Sequence, residues 1–298
     1  MHTRRDFTEL VVLHRRGRAL ESRHPVHAAL VWADSGVVER FGADIVTTFR
    51  SSAKPFQLET SLEMLETSVR DSLVDEDLAI GAASHHGEPM HVERVTHLLE
   101  LFGAEATELL CGLHPPVNES AWRALVRANE EPTVHHNNCS GKHAFMVGAC
   151  RARGYEGDYR DTSHPLQRAI FAKLEARSGR IEGTVIDGCG VPSFVLPLEG
   201  MARAYATLGA DMAAERPGLL GRIGWAMQRN PEMMSGSEAI DGSMIASATR
   251  PLVAKVGAEG LFCVALPEER AGLAIKVTSA NADARAVAAG ALVKRLFP

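Results

Sequence analysis

The chain has 298 residues, 45% of them hydrophobic and 23% charged, enough for a full core in one large domain or two modest ones and unlike a disordered composition. With 32 Lys and Arg against 37 Asp and Glu, a net charge of -5 and no basic run, it carries no electrostatic footprint for nucleic acid or an acidic membrane surface. No apolar run approaches the ~20 residues of a membrane span, the opening lacks a secretion-type apolar core, and the five cysteines are odd in number and widely spaced, so a cytoplasmic protein with free thiols is expected.

Residues 8–49 alternate short apolar runs with turns (TELVVLH, HAALVWA, GVVERFG, DIVTTF) and read as strands, with Asp34-Ser35-Gly36 supplying one turn. From Ser51 the apolar period becomes helical. Helices are expected over 53–66, 75–83, 89–102, 118–128, 140–153 and 163–178, punctuated by Gly87, Gly103, Pro115-Pro116, Pro132 and Gly154. Residues 181–196 return to strand character, and helices follow near 198–208, 214–228 and 237–248. Three β-like runs (PLVAKVG, LFCVAL, GLAIKV) then precede a last amphipathic helix at 283–296. Strands at both ends of a mainly helical middle imply an α/β protein. One antiparallel sheet would join segments 1–50 and 180–298, with the helical region 51–180 beside it and the cleft at the seam. Without a repeat or linker, 1–298 is expected to be a single catalytic unit.

The stretch Phe49-Arg50-Ser51-Ser52-Ala53-Lys54-Pro55 turns a strand into a helix, placing Ser51 near an N-cap and Lys54 one turn later on the same face. Such a Ser-x-x-Lys pair can act as nucleophile and base when burial or a neighbouring cation lowers the lysine pKa. Equally, it can be a cap followed by a solvated lysine. Lys255, in Ala254-Lys255-Val256-Gly257, is similar to the lysine of the Lys-Thr-Gly strand in serine β-lactamases and penicillin-binding proteins, and Ser84 in ASHHGEP could fill the middle slot of that set. As an alternative, Lys255 would be an edge-strand lysine.

A second constellation pairs HHNNCSGKH (135–143) with DGCGVP (187–192). Cys139 and Cys189 could share a thiophilic metal, with His143 the third ligand that chemistry alone favours, or could be two unrelated buried thiols. Lys142 would ligate only when neutral. The chain has no Gly-x-Gly-x-x-Gly, His-Glu-x-x-His or Gly-x-Ser-x-Gly, which disfavours nucleotide cofactors and α/β-hydrolase chemistry.

Taken in order, FRSSAKPFQ, ASHHGEPMHV, CGLHPP, HHNNCSGKHAFM, DGCGVPSFVLPL and VAKVGAEGLF resemble the thermolabile, Rhizobium-type L-asparaginases, the L-asparaginase II family, across about residues 25–280. The resemblance implies a fold like that of serine β-lactamases and glutaminases, a homodimer, and hydrolysis of L-asparagine to L-aspartate and ammonia. It further implies two Ser-Lys pairs, Ser51 with Lys54 and Ser84 with Lys255, either serine being the nucleophile. Zinc is expected on Cys139, Lys142 and Cys189, which moves His143 from ligand to pocket neighbour. Asp187 would then grip the substrate α-amine, and Arg50 either face its carboxylate or support the serine. Phe145 stands where relatives commonly have glycine, and MSGSEAIDGSMIAS follows the family's Gly-rich, Asp-containing segment only loosely, so another small amide (glutamine, a β-aspartyl compound) or a binding protein without turnover are the competing expectations.

Overall fold

A computed structural model describes residues 10–236 and 239–296, and the backbone of 4–7. Thr8 and Glu9, with which the first expected strand opens, and Ser237 and Glu238, with which the helix at 237–248 opens, lie outside the described residues. The N-terminal strands are β1 (Arg4–Phe7), β2 (Leu10–Arg16), β3 (Ala19–Trp32), β4 (Val38–Phe41) and β5 (Val46–Thr48). A 3₁₀ turn (Arg50–Ala53) runs into α1 (Lys54–Met64), followed by α2 (Thr67–Ser72), α3 (Asp75–Ala82), α4 (Pro89–Leu101), α5 (Glu119–Ala128), α6 (Ser140–Arg153) and α7 (Pro165–Ser178). Next come β6 (Gly183–Ile186), β7 (Pro192–Pro197), α8 (Leu198–Met212), α9 (Leu219–Arg229), α10 (Pro231–Ser235), α11 (Ile240–Ser247), β8 (Val253–Val256), β9 (Leu261–Leu266), β10 (Ala271–Val277) and α12 (Ala282–Leu296).

The chain is a mixed α/β protein in which both ends share one sheet. Seven strands run in the order β1-β4-β3-β10-β9-β8, with β2 also paired to β3. The seam is the antiparallel β3/β10 pair, where Ala28 faces Ile275 and Leu30 faces Leu273. Its residues alternate little because both faces are covered, so β9 and nearly all of β10 are buried. On one face α8 crosses β10, β3 and β9. That approach is close enough to require glycine at 272, since a Cβ there would lie 2.1 Å from Ala202 O and 2.2 Å from Ala206 N.

Two features depart from the expected single antiparallel sheet. β1 and β4 are parallel. β5, expected in the main sheet, instead joins β7 and β6 in a separate three-stranded sheet, because Phe49 N–H, just past its end, donates to Phe194 O at 2.8 Å and pulls the chain towards the helical side. Short helices escaped the periodicity. α2 has no buried residue, hence no apolar stripe, and α10 is a five-residue piece started by Pro231.

α1 is enclosed by α3, α6, α7 and α9. All residues from Lys54 to Leu62 are buried, polar ones included. Three of the polar side chains are answered directly: Thr60 and Ser61 donate to the carbonyls of Phe56 and Gln57, and Glu59 takes a two-pronged ion pair from Arg177 of α7. The helix that opens with Lys54 is therefore held rigidly from all sides.

Candidate active site

Three segments distant in sequence converge on one hydroxyl. Lys54 sits at the first position of α1, Ser84 just beyond the C-terminus of α3, and Lys255 on β8. Lys54 Nζ lies 3.0 Å and Lys255 Nζ 2.9 Å from Ser84 Oγ. Relative exposure is 1% for Lys54, 0% for Lys255 and 8% for Ser84, so both lysines are sealed in and the serine nearly so. The remaining partners of Lys54 Nζ are the carbonyls of Ala83 and, at 3.1 Å, Asn138. Those of Lys255 Nζ are Val256 O at 3.2 Å and Asp241 Oδ2 at 3.4 Å. Burial lowers the Lys255 pKa to about 8; the Asp241 charge opposes that shift and the Lys54 charge adds to it.

Ser51 is placed differently. It lies inside the 3₁₀ turn rather than at an N-cap, which Phe49 occupies, and among the described residues its half-buried hydroxyl makes no hydrogen bond, to Lys54 or otherwise. Lys54 thus engages Ser84, whereas the Ser-x-x-Lys spacing had paired it with Ser51. Arg50, one residue earlier, has φ +47°, a left-handed conformation that costs a non-glycine residue about 1 kcal/mol or more. It is held there by its N–H donating to Ser193 Oγ at 3.1 Å and by Nε donating to Asp187 Oδ1 at 2.8 Å. Arg50 and Asp187, expected to take opposite ends of a substrate, therefore face each other.

Asp187 opens the tight connection between β6 and β7, closed by Asp187 N–H to Val191 O at 2.9 Å and Gly190 N–H to Asp187 O at 2.8 Å. Gly190 makes the turn at φ +86°. This tip delivers Cys189 to the start of α6, where Lys142 Nζ lies 3.0 Å from its sulfur. The neighbouring Cys189 holds the Cys139 thiol well below its ordinary range against burial, with help from Lys54 and Lys142, while Cys139 and burial push the Cys189 thiol up. Burial works against the Lys142 charge, yet the two sulfurs hold that charge in place. His143 Nδ1 pairs with Tyr159 Oη at 2.8 Å; its Nε2 is buried beside Cys189 without a hydrogen bond of ordinary geometry. Burial lowers the His143 pKa to about 4.

α6 reaches this position because Gly141 lies against α3. A Cβ there would sit 2.4 Å from Ile80 O. Phe145, on the same helix, is buried in the core, edge-on to Phe102 at 5.3 Å and against Gly81. Two contributors escaped the sequence reading. Asn138 supplies Lys54 with a carbonyl, which any residue could do, and so leaves no sequence signal. Asp241 lies in the segment that follows the family pattern loosely, and an Asp-Gly there reads as an ordinary turn.

Two buried amines meet one hydroxyl beside two buried cysteines and an Arg–Asp pair, an arrangement able to move protons to and from a small polar molecule. No curated protein matches the chain in sequence. The chain belongs to the L-asparaginase II family, which it matches over residues 12–297, and it is accordingly an amidohydrolase acting on asparagine-type amides. No described helix is long and apolar enough to cross a membrane.

Proposed function

We propose that the protein hydrolyses L-asparagine to L-aspartate and ammonia through a serine ester, on a fold of the serine β-lactamase and glutaminase kind. The observation that carries this is the Lys54–Ser84–Lys255 chain of hydrogen bonds. In its uncharged form Lys54 has two N–H bonds for the Ala83 and Asn138 carbonyls and a lone pair left over. Ser51, on the same helical turn and with its hydroxyl unengaged, attacks the amide carbon and loses its proton to Lys54. The resulting ammonium has a third N–H, which turns to Ser84. Ser84 then gives its own hydrogen to the leaving nitrogen, the C–N bond breaks, and ammonia departs. Water repeats the sequence on the ester and releases aspartate and Ser51. Helix-start N–H groups near Ser51 stabilise the oxyanion.

Within this reading Arg50 and Asp187 separate to receive the substrate carboxylate and α-amine, and His143 lines the pocket. The donor set fits zinc chemically: two buried sulfurs, one held as thiolate, with the Lys142 nitrogen between them and the orphaned His143 Nε2 alongside. No three His, Cys, Asp or Glu side chains among the described residues converge on one point, so the lysine is a necessary part of the set. When bound by Cys139, Lys142 and Cys189, zinc would supply a fixed positive charge at the pocket wall. The active form in this reading is a cytoplasmic homodimer, which sedimentation of the purified protein tests.

The deciding experiment is ammonia release from L-asparagine, with L-glutamine and a β-aspartyl amide as competitors, by the native chain and by Ser51→Ala and Ser84→Ala. Asparagine turnover lost in Ser51→Ala is expected. Full turnover in that variant would move the nucleophile to Ser84, and no turnover of any of the three amides by the native chain would end the reading.

A further inference from the structure

We infer that Asp241 is a positioning residue for the reaction, holding the Lys255 amine against Ser84. This rests on the Ser/Lys reading above and adds a member that the sequence motifs do not contain.

Asp241 belongs to α11, next to β8. It is fully buried, and its two oxygens meet four donors. Oδ1 accepts from Ser235 Oγ at 2.6 Å and from Gly242 N–H at 3.1 Å. Oδ2 accepts from Val256 N–H at 3.1 Å and from Lys255 Nζ at 3.4 Å. A carboxylate has about four lone-pair positions, and here all are used by donors, so the group is built to be ionised and to stay in one orientation. Gly242, whose Cβ would sit 2.8 Å from Pro231 O, lets α11 lie against α10 so that Ser235 can reach it. A buried carboxylate wired in this way serves one of two ends, a local fold or a charge. Its direct ion pair to a lysine that touches Ser84 favours the charge.

Hydrogen-bond accounting shows the consequence. Lys255 Nζ has three acceptors: Asp241 Oδ2, Ser84 Oγ and Val256 O. Three acceptors, one anionic, call for three protons. Lys54 also has three hydrogen-bonded partners, two carbonyls and a hydroxyl that can donate as well as accept, and the Cys139 sulfur lies beside it. Burial and the Lys54 charge lower the Lys255 pKa to about 8, and the Asp241 carboxylate opposes them, so Asp241 sets how long Lys255 keeps its proton as pH rises. The other ionisable groups facing this pair are few. They are Lys54 on α1, Cys139 before α6, Cys263 on β9 and, on the Asp241 side, Tyr205 of α8 and Arg285 of α12. Arg222 and Arg229 of α9 are occupied elsewhere, with the Arg70 and Leu73 carbonyls and with Asp75. Asp241 is the anion in direct contact with Lys255.

The test uses the full chain and ammonia release from L-asparagine across pH, with folding checked by circular dichroism. Asp241→Asn removes the charge at nearly constant volume. A lysine without its anion loses its proton at lower pH, so the alkaline limb of the kcat profile should move down by about one pH unit or more, with kcat reduced about 10–100-fold and KM little changed. Should that variant fail to fold, Ser235→Ala leaves the charge but frees Oδ1. It should move the same limb in the same direction by less, with kcat down about threefold. A purely structural Asp241 would lower the melting temperature and leave the limb in place, and an unmoved limb in the folded variant overturns the inference. Lys255→Met separates the two levels. If it is inactive while Asp241→Asn keeps its limb, only the role of Asp241 fails; if it retains full turnover, the Ser/Lys reading fails and takes this inference with it.

Discussion

The hydroxyl cluster around Ser84 and the sulfur cluster around Cys189 lie at opposite ends of one short stretch, Asn138 to Lys142, yet they are built on different principles. Around Ser84 each amine nitrogen has three partners, and a buried lysine is balanced by a buried aspartate. Around Cys189 the balance is between thiolate and ammonium, and a histidine nitrogen is left without a partner. Closed hydrogen-bonding fixes protonation states, which a proton relay needs. Open valence leaves room for something to arrive, which recognition needs.

That contrast can be broken at several points, in falling order of expected effect. On the proposed mechanism Lys54→Met removes the proton acceptor and should cut kcat by about 10³-fold or more, measured as ammonia release, while folded content holds. A smaller loss in the folded protein would mean that another group accepts the proton. Cys189→Ser strikes the other cluster. It should raise KM for L-asparagine about 10–100-fold with a lesser effect on kcat, and bound zinc measured by elemental analysis should fall with it. Equal losses in kcat and kcat/KM would place that cluster in the chemistry rather than in binding.

The pH profile sharpens the comparison. Because the Lys255 pKa lies at about 8 in the folded protein, the reaction should lose rate as pH rises through that value, while the protonated state below it stays competent. Stability should respond in the opposite sense. Between about 8 and the unfolded lysine value near 10.4 the unfolded chain binds the extra proton, so the contribution of Lys255 to stability rises with pH across that window. Chemical denaturation of the native chain and of Lys255→Met at pH 7 and pH 10 would isolate that term. The smallest effect is structural: Gly141→Ala should cost about 1–3 kcal/mol by pushing α6 off Ile80, and the sulfur cluster should loosen before the hydroxyl cluster does.

Much of this was legible in the chain. Lys54 and Lys255 stood out because each sits at the start or edge of an element where a lysine is cheap, next to motifs where it is not. Their convergence with Ser84 followed from the order of those motifs. Cys139, Lys142 and Cys189 were grouped across fifty positions for the same reason, and they do meet. Other features were not legible. The partnership of Lys54 with Ser84 rather than Ser51 depends on where the carbonyls of Ala83 and Asn138 fall. The Arg50–Asp187 contact depends on a left-handed residue that no propensity favours. Asp241 gave no signal because it acts through a neighbour on another element.

The sequence by itself determined most of the longer elements and which reactive side chains were candidates, because periodicity, turn residues and side-chain chemistry are local properties. Only the tertiary structure decided which amine meets which hydroxyl, carbonyl and carboxylate. Protonation of a buried amine depends on the few donors, acceptors and charges within about 4 Å, and packing, not chain order, brings those together.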